Sequence, residues 1–168
     1  MKRIGLLSDT HGYMDDRILS HLEEVDEIWH AGDIGTLDVT DQLSQVAPVV
    51  GVYGNIDGDK VRREFPKNNR FLCEGVDVWM THIGGKPYVY NRDTRGRIHA
   101  NPPDLFICGH SHILRVEKDK RINCLYMNPG AAGRHGFHKV RTMLRFTIDG
   151  KSIKDLEVVE LGPRAITD

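Results

Sequence analysis

Residues 4–12 read Ile4-Gly5-Leu6-Leu7-Ser8-Asp9-Thr10-His11-Gly12, an apolar run that passes directly into a polar turn. The apolar run is typical of a short buried strand, and the turn contains a glycine able to adopt unusual backbone angles. A helix is predicted next, over residues 15–24, because its apolar positions recur at helical spacing. The chain therefore opens with a unit of strand, polar loop and helix.

The same unit then recurs. Strands are predicted over residues 27–30 and 49–53, and an amphipathic helix over residues 38–46. The second strand ends at Ala31-Gly32-Asp33 and the third at Gly54-Asn55. Repeats of strand, polar loop and helix favour a parallel sheet with helices packed against it.

The second half of the chain has a different pattern. Residues 70–73 and 76–81 predict a β-hairpin around Glu74-Gly75. Residues 84–97 are rich in glycine, proline, tyrosine and charge, which indicates a long functional loop leading into a short helix near residues 95–100. The remainder is predicted to be mostly strand, over residues 105–108, 114–117, 123–127, 142–147 and 153–159.

Composition limits the class of protein. At 168 residues the chain has the size of one domain, and we predict a single domain over residues 1–168. A formal net charge of −1 argues against a broad cationic surface for nucleic acid, so nucleic acid is not expected as a bulk partner. The first apolar run is too short for a signal peptide or a membrane span, and the cysteines form no Cys-x-x-Cys pair. These features predict a cytoplasmic protein without a membrane partner.

Metal-competent side chains follow each of five predicted strands. Ligands in open α/β sheets bind at the carboxyl ends of the strands, so we expect these scattered side chains to converge on one rim. They are Asp9 with His11, then Asp33, Asn55, His82, and His110 with His112.

The types and spacing of these residues indicate a metal site. Imidazole and carboxylate without thiolate suit manganese, iron, zinc, nickel or cobalt and disfavour calcium. In extended backbone, Asp-x-His and His-x-His would place both side chains on one face. The ligands outnumber the needs of one tetrahedral ion, which points to two ions sharing a carboxylate, and Asp33 is the natural bridge. Glycines beside the ligand clusters are expected to let the backbone turn sharply: Gly12, Gly32, Gly54 and Gly109.

In this order, the blocks resemble the signature of the calcineurin-like metallophosphoesterases, specifically the small YfcE-type phosphodiesterase branch. The resemblance runs over residues 4–147 and includes Asn128-Pro129-Gly130. It implies an α/β fold, a four-layer α/β/β/α sandwich of two mixed sheets flanked by helices. The blocks that carry it are Asp9-Thr10-His11, Gly32-Asp33, Gly54-Asn55, His82 and Gly109-His110-Ser111-His112.

The resemblance also implies roles for the seven residues. Asp9, His11 and His112 would hold one metal ion. Asn55, His82 and His110 would hold the other, with Asp33 as the bridge. Asp33, Asn55 and His82 are then expected to act in catalysis through the hydroxide and phosphate bound there.

The charge of such a site predicts its substrate. Two divalent cations bring four positive charges and two aspartates remove two, which suits an anionic phosphoester. We expect hydrolysis of a small phosphodiester by a hydroxide bridging the two ions, with manganese as the first choice of metal. Relatives in this branch often form dimers or tetramers, so a homo-oligomer is a further expectation.

One position departs from the wider superfamily, in which many members carry a histidine directly after the asparagine. Here that residue is Ile56, which cannot donate a proton, so the rate is expected to depend strongly on the leaving group. Asp57 is expected to orient one of the metal ligands without binding a metal itself. His135 and His138 are candidates for the missing acid, and Arg134 for a phosphate contact.

Several further residues have two interpretations. Lys86, Tyr88 and Tyr90 are candidates for substrate contact or ordinary loop residues. A basic group could hold a phosphate or form solvated surface beside Asp93; it consists of Arg92, Arg95, Arg97 and His99. The remaining candidates are interpreted as structural: His30 as packed or behind a ligand, His21 as part of a helix, and Trp29, Trp79, Cys73, Cys108 and Cys124 as core.

Two alternatives to a phosphodiesterase stay open. One is a metal-independent interaction scaffold, because a subunit of the eukaryotic retromer has this fold. That protein lacks part of the ligand set, whereas here all seven positions carry good ligands. The other keeps the enzyme but changes the substrate to a phosphomonoester, a cyclic nucleotide or a nucleic-acid end.

Overall fold

A computed structural model describes residues 1–166 of the chain. The helices are α1 (Asp16–Ser20), α2 (Leu37–Ser44), α3 (Asp59–Glu64) and α4 (Arg92–Ala100). The strands are β1 (Lys2–Leu7), β2 (Glu27–His30), β3 (Val49–Gly51), β4 (Asn68–Cys73), β5 (Val76–Thr81), β6 (Gly85–Lys86), β7 (Val89–Tyr90), β8 (Leu105–Ile107), β9 (Leu114–Asp119), β10 (Cys124–Pro129), β11 (Val140–Asp149) and β12 (Ser152–Pro163).

The first sheet has the strand order β12-β11-β1-β2-β3. Strands β1, β2 and β3 are parallel, as the repeated strand, loop and helix units predict. Strand β11 pairs antiparallel with β1, opposing Leu144 to Leu6, and β12 continues the sheet. The carboxyl ends of three neighbouring parallel strands therefore lie along one rim.

The second sheet has the strand order β4-β5-β8-β10-β9. Its three inner strands β5, β8 and β10 are parallel, and the antiparallel strands β4 and β9 form its edges. The predicted hairpin of β4 and β5 is present. The carboxyl ends of β5 and β8 bring His82 and the segment 109–112 to the rim of this sheet.

Three apolar clusters fill the three spaces between four layers. The space between the sheets contains Leu6, Trp29 and Ile107 among other fully buried side chains. On the outer face of the first sheet lie the apolar residues of α1, α2 and α3 and their flanks. On the outer face of the second sheet Ile98 of α4 packs near Phe106. This arrangement confirms the predicted four-layer sandwich.

The boundaries of some elements differ from their predictions. Helix α1 ends at Ser20, and residues 21–24 form a turn. Helix α3 was not predicted, because Val61 is its single buried residue and gives no apolar periodicity. The predicted loop over residues 84–97 contains the short ribbon of β6 and β7, and α4 begins inside it.

The structural roles predicted for the tryptophans and cysteines fit their burial. Trp29 is fully buried and Trp79 is 4% exposed. The three cysteines are buried free thiols. Among residues 1–166, none of the helices combines the length and the apolar character needed to cross a membrane.

Candidate metal centre

Backbone hydrogen bonds beyond the strand ends draw the predicted ligands together. The Asp9 N–H donates to the Gly32 carbonyl over 3.0 Å, which continues the pairing of β1 and β2 into their loops. The Gly109 N–H donates to the His82 carbonyl over 3.0 Å, which joins the loops after β5 and β8 in the same way. The predicted convergence of distant strand ends therefore has a direct cause in the two sheets.

Most of the predicted ligands have left-handed backbone. Such angles are unfavourable for residues with a Cβ, costing on the order of 1–3 kcal/mol each, and persist where the surroundings impose them. Asp9 and His11 belong to one ligand group, whereas His110 and His112 belong to two different groups, and the extended backbone expected at both pairs is wrong. Five of the seven have positive φ: Asp9 (55°), His11 (47°), Asp33 (53°), His110 (69°) and His112 (61°).

The first group of ligand atoms surrounds the Asp9 carboxylate. Asp9, His11 and His112 each offer an atom within 4.8 Å of the others. Asp9 is fully buried, and its Oδ2 accepts hydrogen bonds from the Ser8 hydroxyl and the His110 N–H. Its Oδ1 lies 3.2 Å from His112 Nε2 and 3.8 Å from His11 Nε2. The structure thus brings these three predicted residues together.

The second group contains Asp33, His82 and His110, again within 4.8 Å of one another. Asp33 Oδ2 lies 3.2 Å from His82 Nε2 and 3.3 Å from His11 Nε2, so this carboxylate stands between the two groups. His82 Nδ1 lies 2.8 Å from the Ala31 carbonyl, and a proton donated there leaves Nε2 free to bind a metal. Asn55 adjoins this group, with Oδ1 3.0 Å from His110 Nδ1.

Three buried polar atoms in these groups lack a hydrogen-bond partner. They are Asp9 Oδ1, His11 Nε2 and His82 Nε2. A buried polar atom without a partner costs about 1–3 kcal/mol, so native structures rarely leave several side by side. Oxygen and imidazole nitrogen are both electron-pair donors, and cations bound at the two groups would satisfy all three. The residues present therefore fit divalent metal ions.

Without metal, the charges in the site are balanced by protons. Contact of the protonated His11 ring with the carboxylates of Asp33 and Asp9 raises the pKa of His11 to about 9. Burial lowers the pKa of His82, but its contact with Asp33 and the charges of both aspartates outweigh burial and raise it overall. Burial also favours the neutral acids, yet the histidines hold the pKa of Asp9 and of Asp33 well below the usual range. Protons thus occupy groups that metal ions need.

Asp57 holds the backbone of two ligand loops. Its Oδ1 accepts a hydrogen bond from the Gly35 N–H at 2.7 Å. Its Oδ2 accepts from the N–H groups of Ile34 at 3.1 Å and Gly54 at 2.7 Å. Asp57 is 3% exposed. It therefore ties together the segments that carry Asp33 and Asn55, whereas the sequence suggested that it orients a ligand side chain.

Glycines beside the ligands serve two different needs. A positive φ occurs at Gly12 and Gly32, as their role in sharp turns predicts. At Gly54 the need is space, because a Cβ there would lie 2.0 Å from Asp33 Oδ1. At Gly109 a Cβ would lie 2.2 Å from the Ser8 hydroxyl oxygen. These two glycines let neighbouring loops approach the buried carboxylates.

His30 lies behind the site. It is fully buried, its Nδ1 accepts a hydrogen bond from the Gly32 N–H, and its Nε2 lies 3.0 Å from the Thr10 hydroxyl. Burial lowers the pKa of His30 to about 4, so it is neutral at physiological pH. His30 thus packs against both ligand loops. His21, by contrast, caps the carboxyl end of α1.

The candidates after the Asn-Pro-Gly turn differ from one another. His135 is exposed and stacks on the His11 ring with centroids 4.5 Å apart. His138 Nε2 lies 2.9 Å from the Gly133 carbonyl, and its ring meets His112 edge-on. Both therefore remain near the ligands. Arg134 Nη1 instead donates to the carbonyls of residues 163 and 164, and Arg134 lines neither cavity beside the ligands.

The three candidates for substrate contact in the loop after β5 differ in how far they are buried. Tyr90 is 5% exposed and its hydroxyl donates to Asp119, so the expected substrate contact is wrong. Tyr88 is exposed beneath the guanidinium of Arg121, and Lys86 is exposed on β6. These positions show no contact with the candidate ligands.

Two cavities border the ligand groups and share Asn55. The histidine cavity has a volume of about 550 Å³ and is lined by His11, Asp33, Asn55, Ile56, His110, Ser111, His112, Ile113, His135, Gly136, Phe137 and His138. The basic cavity has a volume of about 760 Å³ and is lined by Tyr53, Gly54, Asn55, Arg62, Lys67, Asn68, Trp79, Thr81, His82, Ile83, Asn91, Asp93, Thr94 and Arg97.

The basic cavity contains functional candidates that the sequence did not reveal. Arg97, from the basic group predicted to bind phosphate, lines it, whereas Arg92, Arg95 and His99 lie outside its lining. Arg62 and Lys67 line it as well. No local motif connects them to Arg97, because separate elements supply the three side chains.

Metal affinity should rise with pH. Below about pH 9 the His11 imidazolium must lose its proton before it can bind a metal, so affinity for Mn²⁺ should rise about tenfold per pH unit for each proton displaced. Titration calorimetry at pH 6, 7 and 8 measures this slope. A His99→Gln variant, which changes an exposed histidine on α4, is the control and should show the same slope. Affinity of the wild-type protein that does not change with pH would contradict the account.

Replacing Asp57 should weaken metal binding without touching a ligand. In an Asp57→Asn variant the amide group would oppose backbone N–H groups that the carboxylate now accepts, and the loops should shift. We expect metal affinity to fall about 10- to 100-fold, with activity partly restored by excess metal. Asp59→Asn, at an exposed position on α3, is the matched control. Unchanged metal affinity in the Asp57→Asn variant would contradict the role of Asp57 in holding the ligand loops.

Known proteins resemble this chain in both sequence and fold. A family model described as the calcineurin-like phosphoesterase superfamily domain matches residues 1–151. A probable metallophosphoesterase of Methanothermobacter thermautotrophicus is 28% identical over 166 residues, covering 95% of this chain and 92% of that protein.

Solved structures show the same architecture. Vps29 of Entamoeba histolytica complexed with zinc has a TM-score of 0.72 at 17% identity, covering 95% of this chain and 99% of that one. A structure described as a novel archaeal phosphodiesterase has a TM-score of 0.69 at 21% identity, covering 94% and 99%. From its ligand geometry and the family match, the chain belongs to the calcineurin-like phosphoesterase superfamily.

Proposed function

We propose that this protein is a phosphodiesterase that depends on two divalent metal ions. In this proposal Asp9, His11 and His112 hold one ion, and Asn55, His82 and His110 hold the other, with Asp33 shared. The observation that carries it is the set of buried acceptor atoms without partners, Asp9 Oδ1, His11 Nε2 and His82 Nε2, beside a carboxylate positioned between both groups.

The chemistry divides between the ions and the protein. When bound, two divalent ions polarise phosphoryl oxygens and lower the pKa of a water molecule, which supplies a nucleophile at neutral pH. Asn55 contributes a neutral oxygen, so it leaves the positive charge of the site uncancelled. Asp57 fixes the loops of Asp33 and Asn55, and the burial of Asp9 excludes water from the carboxylate.

The two cavities support a diester as the substrate. A phosphodiester carries two substituents, whereas a phosphomonoester carries one. The histidine cavity and the basic cavity meet at Asn55, so a phosphate there would have room on either side. The structural similarity to a protein described as a phosphodiesterase agrees with this choice.

The remaining parts of the proposal concern the context of the enzyme. We propose manganese as the first choice of metal and iron, zinc, nickel or cobalt as the others, because imidazole and carboxylate ligands without thiolate suit all five. We further propose a single-domain, cytoplasmic protein that assembles into a dimer or a tetramer. Purified protein that holds no transition metal, and that hydrolyses no activated diester when manganese is added, would favour the metal-independent interaction scaffold.

Removing the shared carboxylate should abolish metal binding and hydrolysis together. In an Asp33→Asn variant, Oδ1 can still accept the Ile56 N–H, but the negative charge between the groups is lost. We expect loss of at least one ion and a fall of at least about 10²-fold in the hydrolysis of bis(p-nitrophenyl) phosphate. Elemental analysis and initial rates measure both effects.

The matched control is Asp41→Asn, an exposed aspartate on α2. It should retain both metal and activity. An Asp33→Asn enzyme that hydrolyses the diester at the wild-type rate would contradict the proposal.

Ile56 should make the rate sensitive to the leaving group. Its side chain lines the histidine cavity, is 46% exposed and cannot donate a proton. Rates on aryl phosphodiesters should therefore fall steeply as the phenol pKa rises. An Ile56→His variant should flatten that dependence, since general acid assistance is worth about 10²–10⁴-fold. A flat dependence in the wild-type enzyme would argue against this role for residue 56.

A further inference from the structure

The basic cavity adjoins the candidate metal ligands on one side. His82 and Asn55 form part of its wall, and α3, β4, β5, α4 and the loops beside them supply the rest. Its volume of about 760 Å³ lies in the usual range for small-molecule sites. A substrate held at the ligands could therefore extend one substituent into this space.

Positive charge dominates the lining of the basic cavity. Three cationic side chains, Arg62, Lys67 and Arg97, face a single carboxylate, Asp93. Within residues 1–166 none of the three cations forms an ion pair, whereas Arg70 pairs with Asp77. The cavity lining therefore has a net positive charge, since the single carboxylate offsets only one of the three cations.

One of these cations is held in place by the site itself. Arg62 Nε donates to the Asp57 carbonyl at 2.6 Å, and its guanidinium lies 4.5 Å from the centre of the Tyr53 ring. These contacts leave the terminal nitrogens of Arg62 for a ligand. Lys67 and Arg97 are exposed, so a ligand can reach them without displacing another group.

The neutral residues of the lining add hydrogen-bond donors. Asn68 Oδ1 accepts from the Trp79 indole, and Asn91 Oδ1 accepts from the Asp93 N–H. The oxygen of each amide is thus engaged, while its NH₂ group stays available. A wall of cations and amide donors suits a ligand with several negatively charged oxygens, and phosphate is such a group.

The histidine cavity has a different character. Besides the candidate ligands it is lined by exposed apolar side chains, Ile56 (46% exposed), Ile113 (65%) and Phe137 (100%). These suit an uncharged or aromatic substituent. The two sides of the candidate metal centre therefore favour chemically different groups.

We propose that the substrate is a phosphodiester with a second phosphate on one arm, and that the basic cavity binds this second phosphate. The inference rests on the proposed phosphodiesterase function and deepens it. The arm in the histidine cavity leaves as an alcohol or phenol. Hydrolysis breaks its phosphorus–oxygen bond, water supplies the new oxygen on phosphorus, and one proton passes to the leaving oxygen.

A pair of substrates tests the proposal directly. The p-nitrophenyl ester of thymidine 5′-phosphate is compared with the same compound carrying a 3′-phosphate, so that the reacting phosphate and the leaving group are identical. With both metals bound, we expect kcat/KM to be about tenfold higher for the 3′-phosphorylated compound, mainly through a lower KM and less so at high salt.

Variants of the cavity then locate the effect. In a Lys67→Gln/Arg97→Gln double variant, which keeps Arg62 alone of the three cations, the ratio of the two kcat/KM values should fall from about ten to about two. Asp93→Asn, which removes the carboxylate from the lining, should raise the ratio. Arg95→Gln changes the charge of the same helix outside the cavity and should leave both the ratio and the basal rate unchanged.

The outcomes separate this inference from the proposed function. If the enzyme with metal hydrolyses neither thymidine ester nor bis(p-nitrophenyl) phosphate, the proposed function itself fails. If it hydrolyses all of them with equal preference for the two thymidine esters, this inference alone is overturned. A preference that the double variant leaves undiminished, or that Arg95→Gln reduces equally, overturns it as well.

Discussion

The buried carboxylates of Asp9 and Asp33 are the constraint on which the rest of the structure depends. Both lie almost wholly out of water, and burying negative charge is costly unless positive charge compensates it. Each strand end at the rim supplies part of that compensation, through imidazoles, backbone N–H groups or the Ser8 hydroxyl. The remaining unpaired atoms define where cations belong.

The two sheets of the sandwich bring the charged side chains to one place. Strands β1, β2 and β3 belong to one sheet, and β5 and β8 belong to the other. The loops that follow these strands meet at the same rim. The apolar layer between the sheets holds the strands rigidly enough to keep five ligand positions in left-handed backbone. Asp57 then ties the loops that carry Asp33 and Asn55 to each other through hydrogen bonds from their backbone N–H groups.

The sequence was most informative where a pattern is local. Each apolar run that passes into Asp, Asn or His indicated a strand end, and the parallel arrangement of those strands placed them on one rim. The left-handed backbone at the ligands could not be predicted, because Asp-x-His spacing alone is also compatible with extended structure. Nor could the contacts of Asp57, which join backbone N–H groups from two loops.

Burial explains most of the remaining differences. Tyr90 and Arg134 have side chains that often contact substrates, yet tertiary contacts with Asp119 and with the carbonyls of residues 163 and 164 engage them. The basic cavity could not be predicted from the sequence. Arg62, one of its cations, lies on the short helix α3, and this helix has no apolar periodicity by which it could be recognised. Only the tertiary fold places Arg62 and Arg97 in the lining of one cavity.

Anomalous X-ray diffraction from crystals grown with manganese tests the central claim most directly. The account predicts two peaks about 3.5–4 Å apart, one beside Asp9, His11 and His112 and the other beside His82 and His110, with Asp33 contacting both. A single peak at full metal loading, or peaks away from these side chains, would contradict it.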